Sequence, residues 1–390
     1  MIHEVTRGSR TLGYVAIDST VRGRARGGLR IASGLREEEV RLAARAMTLK
    51  YGLLGLPQGG AKAGIVGDAE APPPEKRRLL HEFARAAEPL LRRQAYVPDA
   101  DLGTTAADVR WMMGSIGLRV GPRDWLGNRS GEYTARSCLV AADVLAARGG
   151  GSLRGARVAI EGFGKVGGSL ALLLERCGAL VVAVSTSRGA LYRAGGLNVA
   201  GLLGGAAEEG SRFVEGRPET MRREALLELP VDLLLPCARA HSIHSGNVAA
   251  VAAKAVCAGA NDPVTPEAER ALHERGIAHP PDFVTNCGGV LGGTLEYAGV
   301  APARIDALME RQLRPRVARL LDRAEEEGVP ARRLAEVEAL DRHARVRAEA
   351  ERPSLSGRLR SLGLEAYRRR WLPRRPVSVL AARYVARRMA

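Results

Sequence analysis

Lys50 and Lys62 are the first residues whose type suggests chemistry, because the chain otherwise carries its positive charge on arginine. Only five of its 59 basic residues are lysine, and these two lie twelve residues apart in a glycine-rich neighbourhood. A lysine can lose its proton near neutral pH when it is buried or crowded by other cations, whereas an arginine cannot. Lys50 falls on the apolar face of a predicted helix, where it either points into a cleft or snorkels to solvent from the helix end.

The segment 95–104 adds acidic side chains to this set. Its sequence, A-Y-V-P-D-A-D-L-G-T, predicts a strand that ends in a loop presenting Asp99 and Asp101. A loop at the end of a strand can present such side chains to a functional site. The alternative role for Asp101 is a helix cap before Thr104 and Thr105.

A glycine motif, G-F-G-K-V-G at 162–167, indicates a second kind of chemistry. It follows a strand pattern at 156–160 and opens a predicted helix, which is the context in which such a motif binds a dinucleotide. Gly162 is expected to make the turn, Gly164 to let the backbone approach the pyrophosphate, and Gly167 to let helix and strand pack. The N-terminus of the helix then faces the phosphates.

The residues at the end of the next predicted strand bear on the choice of cofactor. That strand, 180–184, leads into S-T-S-R at 185–188, where an acid that binds the ribose hydroxyls is usual and none is present. Arg188 can instead pair with a 2′-phosphate. The predicted cofactor is therefore NAD or NADP, with NADP favoured.

The elements that must position these residues alternate between strand and helix. Strand patterns at 11–31, a glycine-rich loop around Lys62 at 56–68, and helix patterns at 37–51, 75–93, 134–148 and 168–177 are followed by further β–α alternation. From about residue 301 the pattern is helical and increasingly basic. This alternation predicts the α/β fold class.

Composition excludes several classes of protein. Of the 390 residues, 46% are apolar and 26% charged, which is typical of a globular protein rather than a disordered one. No run approaches the roughly 18 apolar residues of a membrane helix, and the start M-I-H-E-V-T-R lacks a signal-peptide pattern, so a cytoplasmic location is expected. Five widely spaced cysteines argue against a disulfide framework and against a zinc site, and no metal is predicted.

The net charge of +16 raises the alternative of a nucleic-acid binder. Residues 351–390 hold 11 arginines and 2 glutamates, so +9 of this charge lies in the last forty positions. Aromatic residues are only 4% of the chain, which poorly supplies the base stacking that binding of single strands uses. A solvated arginine-rich tail is therefore expected, and neither nucleic acid nor membrane is the expected partner.

Several motifs, in order, resemble the glutamate/leucine/phenylalanine/valine dehydrogenase family. They are R-G-G-L-R at 26–30, M-T-L-K at 47–50, G-G-A-K-A-G at 59–64, D-L-G-T at 101–104, the glycine motif, G-A-N at 259–261 and N-C-G-G at 286–289. The resemblance implies reversible oxidative deamination of an L-amino acid to its 2-oxo acid and ammonia with NAD(P), in a homo-oligomer. It also implies a substrate-binding and catalytic domain at 1–133, a Rossmann-type NAD(P)-binding domain at 134–300, and a basic helical segment at 301–390 that packs back on the cleft.

The resemblance assigns roles to individual residues. Lys50 matches the lysine that binds the α-carboxylate, Lys62 the catalytic lysine that polarises the carbonyl or activates water, and Asp101 the aspartate that shuttles a proton. Crowding by Lys50 and Arg26 is expected to lower the pKa of Lys62. The other site residues are, for the substrate, Arg26, Asn286 and Gly293 and, for the cofactor, Thr134, Gly162, Phe163, Gly164, Lys165, Val166, Gly167, Thr186, Arg188, Ala238 and Asn261.

Two positions bear on the substrate. Arg26 lies at the position that contacts the substrate side chain in members of this family. Glutamate-specific members have a lysine there, and leucine and phenylalanine enzymes have an apolar residue. The resemblance therefore implies a fixed positive charge at Arg26 and a glutamate-like substrate. Gly293 lies where a serine helps hold the γ-carboxylate, and it supplies no hydroxyl. Leucine, branched-chain or phenylalanine dehydrogenase activity therefore stays an alternative, as does a catalytically inactive cofactor-binding regulator.

Overall fold

The computed structural model describes residues 1–118, 129–353, 362–363, 366–367 and 369–389, and the chain divides into two units. Unit 1 comprises Met1–Asn128, Thr294–Ala301 and Val337–Ala390, and unit 2 comprises Arg129–Gly293 and Pro302–Glu336. Residues 301–390 thus contribute to both units, and the basic tail after residue 351 lies partly outside the described residues. Within the described ranges, no helix is long and apolar enough to cross a bilayer.

Unit 1 is built on a mixed sheet of five strands. The strands are β1 (Ile2–Arg7), β2 (Arg10–Ile17), β3 (Ala25–Ala32), β4 (Gly59–Val66) and β5 (Tyr96–Ala100), in the spatial order β1-β2-β4-β3-β5. β3 runs parallel to both of its neighbours, and the other two pairs are antiparallel. The helices that follow these strands in the chain are α1 (Glu37–Leu53), α2 (Pro73–Ala86), α3 (Glu88–Arg92) and α4 (Ala106–Ser115).

The two faces of this sheet differ because side chains alternate along each strand. Leu29 of β3 and Ala63 of β4 point into an apolar core that includes Phe83 of α2. The neighbouring positions Gly28 and Lys62 therefore lie on the opposite face. One face stabilises the unit by burying this core. The opposite face carries a smaller apolar cluster under α1, which includes Ala16 and Val40, and beside it the polar side chains around Gly28 and Lys62, which are called the polar face below.

The glycine-rich segment around Lys62 forms strand β4, so the loop that the sequence analysis predicts there is wrong. A Cβ at Gly60 would lie 2.3 Å from the backbone nitrogen of Thr48, and one at Gly64 would lie 2.1 Å from Cδ2 of Leu35. The glycines thus allow α1 and the segment before it to lie directly on the strand. Lys62 is consequently held in the middle of a strand that is hydrogen-bonded on both sides.

Unit 2 is built on a six-stranded sheet with a parallel centre. The strands are β6 (Arg157–Glu161), β7 (Leu180–Thr186), β8 (Gly189–Tyr192), β9 (Thr220–Met221), β10 (Leu233–Pro236) and β11 (Ala255–Val256), in the order β11-β10-β6-β7-β8-β9. The helices are α5 (Ser130–Arg148), α6 (Lys165–Arg176), α7 (Val199–Glu209), α8 (Pro266–Glu274) and α9 (Asp282–Thr285). Helix α10 (Gly288–Tyr297) begins in unit 2, and its residues from Thr294 onward belong to unit 1. The chain passes from β6 through α6 to the parallel strand β7, and β10 flanks β6 on its other side. The carboxyl end of β6 is therefore a topological switch point, where doubly wound sheets bind dinucleotides, and the predicted α/β class with a Rossmann-type domain is confirmed.

All four predicted helices have different bounds in the structure. The helix predicted at 37–51 extends to Leu53, and the one predicted at 134–148 already begins at Ser130. The pattern at 75–93 is broken into α2 and α3, because Pro89 in the first turn of α3 has no N–H with which to continue the earlier helix. The helix predicted at 168–177 already begins at Lys165, with Gly164 as its N-cap. The last residues of the glycine motif therefore lie in the first turn of α6.

Three long helices follow in the part of the chain that the structure describes: α11 (Pro302–Glu326), α12 (Ala331–Glu351) and α13 (Arg374–Met389). Within unit 2, α11 packs on α5, and Nη2 of Arg314 lies 2.6 Å from Oδ2 of Asp143. Helix α12 begins in unit 2 and ends in unit 1, where Nε2 of His343 lies 2.9 Å from the carbonyl oxygen of Gln58. That contact ties α12 to the loop that leads into β4.

A buried charge cluster fixes the start of α12 to the rest of unit 2. Nε of Arg332 lies 2.7 and 2.8 Å from the two carboxylate oxygens of Glu269, and its Nη2 lies 2.8 Å from Oδ1 of Asp282. The other oxygen of Asp282 accepts a hydrogen bond of 3.0 Å from the backbone N–H of Asp262. Both acids are buried, so their charges depend on Arg332.

Replacing Arg332 with methionine should destabilise the protein by about 3–5 kcal/mol at pH 7, because two buried carboxylates lose their cation. Burial alone raises the pKa of Glu269, but His279 and Arg332 outweigh it and lower that pKa in the folded protein. This stabilisation is present above the ordinary pKa of a glutamate and is lost as the pH falls through the folded value. The difference between wild type and variant in urea unfolding should therefore persist from pH 7 down to the ordinary glutamate pKa of 4.5 and shrink as the pH is lowered further.

The matched control for this prediction is Arg323→Met. Arg323 pairs with Glu327 at 2.9 Å on the exposed side of α11, and an exposed pair of this kind contributes only about 0.5 kcal/mol. An Arg332→Met variant as stable as Arg323→Met would contradict the prediction.

Candidate functional site

Gly28 lies at the centre of the polar face of the unit 1 sheet. Lys62 stands beside it on β4, Asp99 pairs with it on β5, and Asp101 follows directly after the end of β5. A Cβ at Gly28 would lie 2.7 Å from Cβ of Asp101 and 3.1 Å from Nζ of Lys62. The missing side chain at Gly28 therefore lets the lysine and the aspartate approach each other above the strand.

Lys62 and Asp101 form a close ion pair at this place. Nζ of Lys62 lies 2.7 Å from Oδ2 of Asp101, and the side chain of Lys62 is only 5% exposed. Arg30, two residues beyond Gly28 on the same face, places its Nε 3.1 Å from the same oxygen. One carboxylate oxygen is thus shared by two cations.

The pKa values of the pair follow from burial and from these contacts. Burial is the largest effect on Lys62 and lowers its pKa. Asp101 raises this pKa and Arg30 lowers it, and the result is a pKa below the usual value of a lysine. Burial raises the pKa of Asp101, but Lys62 and Arg30 outweigh it and hold that pKa well below its usual range. The expected lowering at Lys62 is found, but its charged cause is Arg30 rather than Lys50 and Arg26, because Arg30 is the cation that reaches the pair.

Asp101 is not the helix cap that the sequence left open as an alternative. Helix α4 is capped by Thr105, whose hydroxyl accepts from the backbone N–H of Asp108, while the carboxylate of Asp108 accepts from the backbone N–H of Thr105. The backbone N–H of Asp101 is held by the hydroxyl of Thr104 at 3.0 Å. The carboxylate of Asp101 is therefore left to Lys62 and Arg30.

Lys50 lies in the last turn of α1, in the same unit, and it is buried. The alternative of a lysine that snorkels to solvent is therefore wrong. A buried cation at the end of α1 is also placed favourably with respect to the helix dipole.

Arg26, where a fixed positive charge is expected, is paired with an acid. Its Nη2 lies 3.0 Å from Oδ2 of Asp99 on the neighbouring strand. Register explains the pairing, because β3 and β5 run in parallel and bring these two positions to the same edge of the polar face. Arg30 and Asp99 are charged residues of this face to which the sequence patterns assign no specific role. The sequence feature that indicates Arg30 is its spacing of four residues from Arg26, because this spacing places both side chains on the same face of a strand.

The glycine motif of unit 2 has the geometry of a dinucleotide-binding turn. Gly162 has a φ of +95°, and a Cβ there would lie 2.7 Å from the backbone of Ala238. A Cβ at Gly164 would meet nothing within 4 Å, whereas one at Gly167 would lie 1.9 Å from the carbonyl oxygen of Gly162. Open space therefore lies in front of Gly164, at the N-terminus of α6, where the unpaired N–H groups of the first turn favour an anion. Lys165 and Val166 belong to that first turn.

Three other predicted cofactor residues lie around this turn. The ring of Phe163 packs on Phe213 with centroids 5.4 Å apart, and its backbone N–H donates to Ser185. The hydroxyl of Thr186 donates to the carbonyl of Ser211 at 2.8 Å and accepts from the backbone N–H of Arg188 at 3.1 Å. The side chain of Arg188 is exposed and has no salt bridge to any residue that the structure describes.

Asn286 and Asn261 contact each other in unit 2, and Thr134 lies beside the segment that follows Asn286. Nδ2 of Asn286 donates to Oδ1 of Asn261 at 3.1 Å and to the carbonyl of Ala260 at 2.8 Å. Its Oδ1 is buried without a hydrogen-bond partner among the described residues, so it can accept from a ligand. Thr134 packs against the N-C-G-G segment, since a Cβ at Gly289 would lie 2.7 Å from its hydroxyl.

Gly293, the remaining substrate position, has open space around it. A Cβ there would meet nothing within 4 Å, so a side chain is absent although there is room for one. No group of three or more histidine, cysteine or acidic side chains that could hold a metal ion occurs among the described residues.

Two models of one protein family match most of this chain. Residues 128–350 match the model of the Glutamate/Leucine/Phenylalanine/Valine dehydrogenase family, and residues 4–117 match the Glu/Leu/Phe/Val dehydrogenase dimerisation domain. The chain is 36% identical over 299 residues to a glutamate dehydrogenase of Thermotoga maritima, covering 73% of this chain and 72% of that protein. It is 34% identical over 297 residues to an NAD-specific glutamate dehydrogenase of Staphylococcus aureus strain COL, with the same two coverages.

A solved structure supports the same relationship. The hetero-hexameric glutamate dehydrogenase from Thermus thermophilus, in its Leu-bound form, matches with a TM-score of 0.77 and 29% identity over 90% of each chain. The paired Lys62 and Asp101, the dinucleotide-binding turn and these matches lead to one conclusion: the chain belongs to the glutamate/leucine/phenylalanine/valine dehydrogenase family of amino acid dehydrogenases.

Proposed function

We propose that this protein catalyses the reversible oxidative deamination of L-glutamate, or of an amino acid like it, to the 2-oxo acid and ammonia, with NAD(P) as cofactor. The observation that carries the proposal is the buried contact of 2.7 Å between Lys62 and Asp101 above Gly28. A lysine with a lowered pKa beside an ionised carboxylate is a proton-transfer pair. The names of the relatives support glutamate as the substrate.

Three residues of unit 1 would then bind the substrate and transfer protons. Lys50 holds the α-carboxylate, and Lys62, once neutral, removes a proton from the water that attacks the imine carbon. Asp101 receives that proton and passes it to the departing amine. Bound NAD(P)⁺ supplies the acceptor for the hydride of the substrate α-carbon.

The turn at 162–167 fits a dinucleotide. The open space before Gly164 and the N-terminus of α6 suit the pyrophosphate, and the unpartnered Oδ1 of Asn286 suits an N–H donor of substrate or cofactor. No acid follows β7, and the exposed Arg188 favours the 2′-phosphate of NADP. The name of the relative from Staphylococcus aureus instead favours NAD, so either dinucleotide is retained in the proposal.

The test is a panel of the twenty L-amino acids, each with NAD and with NADP, in which the absorbance of the reduced cofactor is followed. Glutamate should give the highest kcat/KM with one of the two cofactors. No turnover with any amino acid would refute the enzyme and favour an inactive cofactor-binding regulator. A preference for leucine, valine or phenylalanine would support the second candidate, an apolar substrate, which the pairing of Arg26 with Asp99 favours.

We also propose that the protein is a cytoplasmic homo-oligomer, as is consistent with its match to a dimerisation domain at residues 4–117. Light scattering of the purified chain at several concentrations tests the oligomer. A single monomeric species at all concentrations would refute it.

Replacing Arg30 with methionine should move the activity of the enzyme to higher pH. Arg30 lowers the pKa of both Lys62 and Asp101, so its loss raises both. Because the reaction needs neutral Lys62, the rising limb of kcat/KM against pH should shift in the alkaline direction, with about tenfold less activity at pH 7.

Arg41→Met is the control for Arg30→Met, since Arg41 pairs with Glu37 on the exposed side of α1. Its profile should match that of the wild type. If Arg30→Met lowers kcat/KM equally at every pH, and the rising limb of the pH profile does not move, then Arg30 only supports the structure of the site.

A further inference from the structure

Asp99 lies beside the predicted substrate-reading residue, and nothing in the catalytic scheme uses it. We infer that Asp99 is a specificity-determining residue, which pairs with Arg26 and thereby weakens the preference of the substrate site for an acidic side chain. The inference rests on the proposed function, in which the side chain of Arg26 faces the end of the substrate side chain.

The pair is held in place before any ligand arrives. Oδ2 of Asp99 lies 3.0 Å from Nη2 of Arg26, and Oδ1 of Asp99 accepts a hydrogen bond of 3.0 Å from the backbone N–H of Ala100. A guanidinium has five N–H donors, so this single contact leaves Arg26 with donors for a further acceptor. Among the described residues, Asp99 is the acid that forms a salt bridge with Arg26.

The pair is open enough to meet a ligand. The side chain of Arg26 is 33% exposed and that of Asp99 is 46% exposed, in contrast to the buried Lys62. Asp99 and Asp101 are two residues apart and so project to the same side of the chain. The pair therefore borders the polar face that carries the proposed proton-transfer residues.

The distance along β3 matches the length of a five-carbon amino acid. Arg26 and Gly28 lie on the same face two positions apart, which is about 6.6 Å along a strand. A substrate whose α-carbon lies near Lys62, above Gly28, would bring the end of a glutamate side chain toward Arg26. Its carboxylate would then meet the negative charge of Asp99 as well as the positive charge of Arg26.

The charge balance decides what this site prefers. A lone arginine attracts a carboxylate and is left without a counter-charge when an apolar side chain covers it. With Asp99 in place the pair has no net charge, so the acidic substrate gains less and the apolar substrate loses less. The electrostatic reach of Asp99 extends to Lys62, whose pKa it also raises, after the larger effects of burial, Asp101 and Arg30.

The decisive experiment compares L-glutamate with L-norvaline, which has five carbons and an apolar end. Asp99→Asn should raise the ratio of their kcat/KM values, glutamate over norvaline, by about tenfold. Asp99→Glu keeps the charge and should stay near the wild-type ratio. In an Arg26→Met background, Asp99→Asn should raise the ratio by clearly less, because only the direct repulsion between Asp99 and the substrate carboxylate is then left to remove.

Binding provides a readout that does not need turnover. The ratio of the Kd values of 2-oxoglutarate and 2-oxopentanoate, measured by calorimetry on wild type and Asp99→Asn, should shift in the same direction. If the wild type deaminates no amino acid, the proposed function fails, and the two Kd values still decide the role of Asp99.

Asp18→Asn is the matched control, because Asp18 pairs with Arg45 at 3.7 Å elsewhere in the same unit. Its ratio should equal that of the wild type. An unchanged or lower ratio in Asp99→Asn, or the same rise in the Arg26→Met background, would overturn the inference and leave Asp99 as a support for the position of Arg26.

Discussion

Replacing Lys62 with alanine is expected to lower kcat by about a thousandfold while leaving dinucleotide affinity within about twofold, the size of a lost general acid–base group. Lys62 lies on β4 in unit 1 and pairs with Asp101, whereas the glycine motif proposed to bind the dinucleotide belongs to unit 2. Steady-state rates and a fluorescence titration with NADH and NADPH measure the two effects separately.

Lys62→Arg separates the charge of this residue from its proton. An arginine keeps the positive charge beside Asp101 but does not lose its proton in a protein. We therefore expect Lys62→Arg to be nearly as inactive as Lys62→Ala, and Asp101→Asn to behave in the same way because its shape stays and its proton acceptor is removed. Retention of more than about a tenth of the wild-type rate in any of the three would show that the role is wrong.

The control for the lysine variants is Lys254→Ala. Lys254 pairs with Asp232 in unit 2, and its side chain is 77% exposed. It should keep the wild-type kcat and the wild-type affinity for both dinucleotides. An equal loss of rate in this variant would mean that the assay reports folding or aggregation rather than chemistry.

Lys62 and Asp101, the two members of the buried ion pair, could be singled out from the sequence because their signals are local. Lysine is rare in this chain, so its presence at position 62 carries information, and Asp101 follows a short strand pattern. The glycines around Lys62 were harder to interpret, since glycine usually indicates a loop. In the structure these glycines allow Thr48 and Leu35 to lie directly against β4. A pattern read within the strand itself does not show this close approach.

The pairing of Arg26 with Asp99 could not be predicted, because it depends on which strands are neighbours. The two residues are 73 positions apart, and only the parallel register of β3 and β5 brings them together. The same register brings Arg30 to Asp101 and makes it, rather than Lys50 or Arg26, the cation that lowers the pKa of Lys62. Sequence spacing gives the face of a strand on which a residue lies, but the partner across the sheet is set by topology.

Gly164→Val should abolish dinucleotide binding in a protein that folds normally. A Cβ at Gly164 would meet nothing within 4 Å, and its φ of −93° is one that valine adopts, so the fold loses little. The branched side chain would instead fill the space in front of the N-terminus of α6, where the pyrophosphate is expected to lie. We expect at least about a hundredfold weaker binding of NADH and NADPH, since the phosphates lose their contacts with the backbone N–H groups of that turn.

Gly167→Val provides the contrast that makes this result interpretable. A Cβ at Gly167 would lie 1.9 Å from the carbonyl oxygen of Gly162, so a side chain there forces α6 away from the turn and should lower the melting temperature or prevent folding. Gly164→Val should keep the wild-type melting temperature and lose only the fluorescence change on addition of reduced cofactor. If Gly164→Val binds either dinucleotide as tightly as the wild type, the turn at 162–167 is only a close-packed corner between β6 and α6, and the cofactor binds elsewhere.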